Sequence, residues 1–152
     1  VSTGATPLSA GKPEPEIFRA AAALMEAERP LAIGDNLDTD IKGAVAAGID
    51  SMHVLTGLAS ARDICLAPSD VRPTYLCDDM RGLNEPYPEA AVEGARARVG
   101  EAFAEWTGQG FDVTDAGEAV DVSNGASLAL DAYRALVLDV SRSVGELRVV
   151  RL

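Results

Sequence analysis

The segment Leu31-Ala32-Ile33, which ends at Gly34-Asp35, constrains the fold more than any other part of the sequence. An unbroken apolar run of this length is typical of a strand that is buried on both faces within a parallel sheet. On either side of it, apolar residues recur at helical spacing, which predicts helices over residues 15–27 and 39–47. A buried strand between two helices indicates an α/β architecture.

The alternation of helices and strands continues towards the middle of the chain. Residues 51–55 and 74–77 predict two more strands, and residues 60–64 predict a short helix between them. Gly48 is placed to end the preceding helix, because glycine readily takes the left-handed conformation of a helix C-terminus. Strands separated by helices run parallel in one sheet. Residues 1–85 are therefore predicted to form a domain with a Rossmann-like, doubly wound parallel sheet.

The composition changes at residues 84–88, where two prolines in five residues predict a linker. Residues 88–152 are predicted to form a separate, small α+β domain. Its predicted elements are a long amphipathic helix with Val92, Val99 and Trp106 on its apolar stripe, a hairpin of residues 110–114 and 118–122 about Asp115-Ala116-Gly117, a helix over 127–144 and a strand over 147–152.

Charge and composition exclude several classes of function. The 152 residues include 24 acidic and 13 basic side chains, and the formal net charge of −11 repels nucleic acid and anionic lipid, so neither is expected as a partner. We find no apolar run long enough to span a membrane and no signal-peptide pattern. Cys65 and Cys77 are predicted to be buried free thiols, which fits a cytoplasmic location. The single histidine, His53, is predicted to be packed in a strand.

Two polar segments carry the candidate chemistry. Lys12 lies in Gly11-Lys12-Pro13, before the first helix, and Asp35, Asp38 and Asp40 follow the first strand. Ligands of open α/β sheets bind beyond the carboxyl ends of the strands, and closely spaced carboxylates suit Mg²⁺. Taken alone, Asp35 is equally consistent with a capping or turn role, Asp38 is best explained as a plain helix cap, and Lys12 as a solvated surface lysine.

Taken together, these segments are more specific. The sequences GKPEPEIF (11–18) and IGDNLDTDIKGAVAAGIDSMHVLTG (33–57) resemble the third and fourth motifs of haloacid-dehalogenase-type (HAD) phosphatases, in particular the NagD and p-nitrophenyl phosphatase subgroup. The resemblance implies that Lys12 neutralises the nucleophile and the phosphoryl oxygens and that Asp35 binds Mg²⁺. It implies that Asn36 and Asp40 orient the metal's waters and the lysine. The implied substrate is a small phosphorylated metabolite.

The nucleophile of such enzymes is an aspartate in a DxDGT-type motif, and this sequence does not contain that motif. Asp112 and Asp115 share its spacing only loosely and lie in a predicted hairpin. We therefore expect the chain to be the C-terminal portion of a phosphatase. We also expect it to be inactive by itself and to need an N-terminal part that supplies the nucleophile and the substrate-covering cap.

The region 88–152 is similar to the extensions of actinobacterial glycerol-3-phosphate phosphatases, which bear a faint likeness to part of a GNAT-type acetyltransferase. No glycine-rich acyl-CoA loop is found, because residues 98–101 lie within the predicted helix. Docking, homo-oligomerisation or regulation is the expected role. Two alternatives to a phosphatase remain open: a non-catalytic binding or regulatory protein built on part of this fold, and a receiver-like or nucleotide-binding domain, which leaves the GKP segment unexplained.

Overall fold

The computed structural model describes residues 10–60, 63–64, 67–107 and 111–119, without the side chains of Trp106 and Phe111. These residues form a parallel sheet followed by an antiparallel sheet. The helices are α1 (Pro15–Leu24) and α2 (Lys42–Ala47), and the strands are β1 (Leu31–Gly34), β2 (Asp50–Val54), β3 (Tyr75–Cys77), β4 (Ala90–Glu93), β5 (Arg96–Val99), β6 (Ala102–Trp106), β7 (Phe111–Asp115) and β8 (Glu118–Ala119). The helix and strand predicted over 127–144 and 147–152 lie outside the described residues.

The first three strands confirm the predicted parallel sheet, but the predicted burial of residues 31–33 on both faces is wrong, because β1 is an edge strand of the described sheet and none of its residues is buried. They lie in the order β1-β2-β3, and the register places Gly34 opposite His53 and Val54 opposite Cys77. On the central strand β2, Ser51 and His53 are fully buried on one face. The carboxyl ends of all three strands therefore meet at one edge of the sheet, where the acidic segment begins.

The helix α1 ends three residues earlier than predicted. Glu26 takes a left-handed conformation with a φ of 50°, and the amide of Ala27 donates to the carbonyl of Ala22 at 3.0 Å. This is the Schellman arrangement that closes a helix, here without the usual glycine. None of the residues of α1 is buried, and Leu24 at its end is 87% exposed.

The other predicted elements of this region are largely confirmed. A π-helical turn (Leu37–Ile41) leads into α2, and Gly48 caps α2 with a φ of 74°. Of the predicted helix over 60–64, Asp63 and Ile64 are helical. The Asp63 carboxylate accepts hydrogen bonds from the hydroxyl and the backbone amide of Ser60, and the Asp63 backbone amide donates to the Ser60 hydroxyl. This is a capping box.

The predicted long helix from Val92 to Trp106 is wrong, because this region forms strands β4, β5 and β6. Two-residue loops join these strands, and Gly94 and Gly100 take positive φ angles of 59° and 57° in them. Such angles are easy for glycine and set up tight hairpins. The helical stripe was a coincidence of spacing, since burial alternates along β5 with a period of two.

The antiparallel sheet is a meander in the order β4 to β8. The hairpin predicted about Asp115-Ala116-Gly117 is confirmed by the pairing of Asp115 with Glu118. One face of the sheet buries small apolar side chains: Ala97, Val99, Ala102, Ala104 and Val113. The division of the chain into domains at residues 85 and 88 remains a prediction.

The single-residue expectations for burial are confirmed where the structure describes them. His53 is fully buried and Cys77 is 1% exposed, while Cys65 lies outside the described residues. Among the residues that the structure describes, no helix is long and apolar enough to cross a membrane.

One pair of substitutions separates the observed strands from the predicted helix. Ala104 is fully buried, whereas Val92, a member of the helical stripe, is 46% exposed. Ala104→Asn should lower the free energy of unfolding by about 3 kcal/mol, because it buries an amide in a close-packed face. Val92→Asn should change it by less than about 0.5 kcal/mol. Urea denaturation of both variants measures this, and the opposite ranking would support the helix.

Candidate active site

The candidate site lies at the carboxyl edge of the parallel sheet. Asp35 follows the last residue of β1, and the π-helical turn begins two residues later. Since Gly34 pairs with His53, the end of β1 lies beside the end of β2 and the loop that follows β2. The Asp35 side chain is half-buried at this edge.

Lys12 reaches this edge from the segment before α1 and forms an ion pair with Asp40. Its Nζ lies 2.5 Å from Oδ1 of Asp40, a residue 28 positions away in the sequence. The Asp40 side chain is 12% exposed and that of Lys12 is 51% exposed, so the ammonium is held by a buried carboxylate and still faces solvent. The other carboxylate oxygen of Asp40, Oδ2, accepts a hydrogen bond from the backbone amide of Asn36 at 3.3 Å. This chain of contacts ties Lys12 to the residue next to Asp35.

The cap of the π-helical turn is Asn36, whereas the sequence favoured Asp38. Oδ1 of Asn36 accepts the hydrogen bond of the Asp38 amide at 3.0 Å, and Asp38 itself is exposed. An asparagine and an aspartate cap a helix equally well, so the sequence pattern does not distinguish them. The local backbone places the asparagine first.

Two glycines allow the backbone to approach the carboxylates closely. A Cβ atom added at Gly34 would overlap the side chain of Asp40, and one added at Gly57 would overlap the carboxylate of Asp35. Asp40 therefore packs beneath the end of β1, and the loop after β2 packs against Asp35. The sequence analysis assigned no contact to Gly57, because the contact depends on how two distant loops meet. The sequence signal for this contact was the Thr56-Gly57 pair at the end of the segment 33–57.

The Asp35 carboxylate has no protein donor within the described parts of the chain: it accepts no hydrogen bond and forms no ion pair there. A half-buried carboxylate without a hydrogen-bond donor is suited to act as the ligand of a cation. The described residues contain no group of three or more acidic, histidine or cysteine side chains arranged to hold a metal ion. This part of the chain therefore offers one carboxylate ligand and not a closed metal cage.

His53 lies on β2 beside this edge and is fully buried. Burial lowers the pKa of its imidazole below the usual value, although the backbone of Ala59 and the charges of Asp35 and Asp40 act in the opposite direction. The ring is therefore neutral at pH 7. Neither ring nitrogen forms a well-aligned hydrogen bond with a described residue.

The structure thus gathers the residues selected from the sequence at one edge. Lys12, Asn36 and Asp40 form one hydrogen-bonded group, and Asp35 adjoins it through the backbone. Their chemical roles remain proposals.

A family model matches the part of the chain that contains the site. The HAD-hydrolase-like model matches residues 9–83, which include the whole of the candidate site. This segment, just under half of the chain, is therefore similar to the HAD-like hydrolases.

The chain is also homologous to phosphatases of that family. It is 46% identical over 91 residues to the D-glycerol 3-phosphate phosphatase of Mycobacterium tuberculosis, which covers 60% of this chain and 26% of that protein. It is 38% identical over 82 residues to an acid sugar phosphatase of Staphylococcus saprophyticus, covering 53% of this chain and 31% of the relative. The chain thus spans about a third or less of the length of these relatives.

The structural likeness extends further along the chain. The crystal structure of the glycerol phosphate phosphatase of Mycobacterium tuberculosis with magnesium matches 98% of this chain and 40% of its own chain, with a TM-score of 0.72 at 33% identity. The same enzyme with calcium matches with a TM-score of 0.68 at 34% identity. The antiparallel sheet is therefore also shared with this phosphatase.

The Lys12–Asp40 pair should stabilise the edge of the sheet. Asp40→Asn removes the charge partner of Lys12 from a buried position, so the free energy of unfolding should fall by about 1 to 2 kcal/mol at low salt. Asp38→Asn is the matched control, because Asp38 is exposed and lies two residues before Asp40 in the same turn. This substitution should be neutral within about 0.5 kcal/mol. Urea denaturation at low and high salt measures both. Equal stabilities of the two variants would show that the pair contributes nothing.

Proposed function

We propose that this chain is the lysine-bearing and metal-binding part of a Mg²⁺-dependent phosphomonoesterase that works through an aspartyl-phosphate. The observation that supports this most is the position of the Lys12 ammonium, fixed by Asp40 at the strand edge where Asp35 offers an unpaired carboxylate. The family match of residues 9–83 and the phosphatase relatives support the same reaction class.

The charges at the edge favour a divalent cation. The segment at the edge carries three carboxylates, those of Asp35, Asp38 and Asp40, and one ammonium, which contacts Asp40, so the edge carries net negative charge before any substrate arrives. A phosphate dianion would be repelled from such a surface. Mg²⁺ binds through one or two carboxylates and leaves its other positions to water and phosphate, which fits the single ligand that Asp35 provides. When bound, Mg²⁺ supplies positive charge for the phosphoryl oxygens and the attacking carboxylate.

The residues of this chain then perform three tasks. The Lys12 ammonium would neutralise a phosphoryl oxygen and the nucleophile, and the Asp35 carboxylate would hold the metal ion. Asp40 keeps the ammonium in place and is itself held by the Asn36 amide. Phosphoryl transfer spreads negative charge over the equatorial oxygens, so fixed cations are the main means of lowering its barrier.

The nucleophilic aspartate comes from a second segment in this proposal, since the 152 residues contain no DxDGT-type motif. That aspartate attacks phosphorus, the P–O bond to the alcohol breaks, and water then hydrolyses the acyl phosphate to inorganic phosphate. The substrate is a small phosphorylated metabolite, and glycerol 3-phosphate is the first to test because of the activity named for the mycobacterial relative.

Reconstitution tests this directly. The chain is combined with the part of the mycobacterial glycerol phosphate phosphatase that it does not cover, and phosphate release from glycerol 3-phosphate is measured with and without Mg²⁺. We expect Mg²⁺-dependent turnover that falls by about a hundredfold to a thousandfold in Lys12→Ala and Asp35→Asn, because the first removes the cation beside the phosphoryl group and the second removes the charged ligand of the metal ion. Arg98→Ala and Glu93→Gln, which change exposed residues of the antiparallel sheet, should retain full activity.

Two results would contradict the proposal. One is turnover by the isolated 152-residue chain, shown to be free of full-length enzyme. The other is a reconstituted activity that survives Lys12→Ala and Asp35→Asn together.

A further inference from the structure

We infer that His53 is a positioning residue for Asp35: its buried imidazole holds the loop after β2 against the Asp35 carboxylate. The inference deepens the proposed function and rests on it, because orienting Asp35 matters for function only if Asp35 binds a metal ion. It begins from a mismatch between the chemistry of the side chain and its surroundings. The ring is fully buried, yet neither nitrogen has a well-aligned partner among the described residues. Buried polar groups of this kind are rare without a reason.

The register of the sheet places the ring at the site. His53 is the partner of Gly34, so it lies across the strand pair from the residue that immediately precedes Asp35. The side chains of β2 alternate between its two faces, and His53 shares its face with Ser51 and not with the apolar cluster formed by Met52 and Val54. A polar ring has thus been placed beside the acidic edge, where an apolar residue would satisfy packing alone.

The loop over 55–59 is held at three points. At its start, the Leu55 amide donates to the Cys77 carbonyl at 3.0 Å, and just beyond its end Ser60 belongs to the capping box with Asp63. Between these anchors, the backbone at Gly57 packs against the Asp35 carboxylate. The backbone of Ala59 acts on the His53 ring from the same loop.

These contacts suggest one function for the ring. A neutral imidazole carries one N–H donor and one acceptor, and a backbone carbonyl of the loop is a suitable acceptor for the donor. In the contact that we infer, the ring N–H of His53 turns to the Ala59 carbonyl and keeps the loop closed over Asp35, so that Gly57 limits the orientations of the carboxylate. Groups that orient a metal ligand in this way commonly change metal affinity by about ten- to a hundredfold when they are removed.

The test uses the 152-residue chain labelled with ¹⁵N. His53 is the only histidine, so its ring nitrogens give signals that need no further assignment. We expect one fixed neutral tautomer, with one protonated nitrogen, and loop amides at Gly57 and Ala59 as ordered as those of β2. In His53→Leu, which keeps the volume but loses the donor, the loop amides should become mobile. His53→Asn and His53→Gln, which restore a donor, should recover their order.

A Mg²⁺ titration followed at the Asp35 and Gly57 amides gives the second readout. His53→Leu should require about ten- to a hundredfold more Mg²⁺ for half-saturation than the wild type, and the amide variants should lie between them. Asp35→Asn should not respond. The Leu76 amide in β3, the neighbouring strand of the same parallel sheet, reports whether each variant is folded. If His53→Leu does not fold, the two amide variants decide the outcome.

Four results separate the hypotheses. An ordered loop and an unchanged Mg²⁺ response in His53→Leu would overturn the inference and leave a packing role, as would mobile loops in both folded amide variants. Exchange of the ring between two tautomers would also overturn it. A wild type whose loop depends on His53 as expected, but which shows no Mg²⁺ response, would support the positioning contact and contradict the metal role of Asp35 in the proposed function.

Discussion

The ion pair between Lys12 and Asp40 is the interaction on which the rest of the site depends. It joins a segment before the first helix to the turn that follows the first strand, and it brings a mobile, strongly hydrated ammonium to a defined position. The carboxylate can do this because it is largely buried and is itself bound by the Asn36 amide. Without Asp40, nothing among the described contacts would keep the lysine at the edge where Asp35 lies.

The parallel sheet could be predicted from the sequence because each of its signals is local. The run from Leu31 to Ile33 predicts a strand of a parallel sheet, although its burial was overestimated, and Gly48 is a typical residue to end a helix in such a pattern. The antiparallel sheet could not be predicted in the same way. Alanine favours helices when it is exposed, and the alanines of β5 and β6 lie in strands because a face of small side chains buries them there. The glycines at positions 94 and 100 were the overlooked signals, since a glycine between short alternating segments predicts a hairpin.

The candidate site divides along the same line. Lys12, Asp35, Asn36 and Asp40 could be selected from motifs, because charged residues at a fixed spacing beyond a strand indicate a ligand site. The contacts that shape the site could not be selected, since the approach of Gly57 to Asp35 and the place of His53 beside Gly34 depend on strand register. Register is a property of the assembled sheet and is not written in any single segment.

The close approach of backbone to carboxylate at Gly34 and Gly57 has a consequence for substrate selection. In the proposed function, this edge binds the phosphate that every phosphomonoester shares through an ammonium, peptide groups and a cation held by a carboxylate. Within the described part of the chain it presents no side chain that would distinguish a triol from a sugar. Discrimination between the alcohols of different substrates is then a property of other surfaces. The edge can stay the same in proteins that prefer different leaving groups, which agrees with the similarity of this segment to both glycerol phosphate and sugar phosphatases.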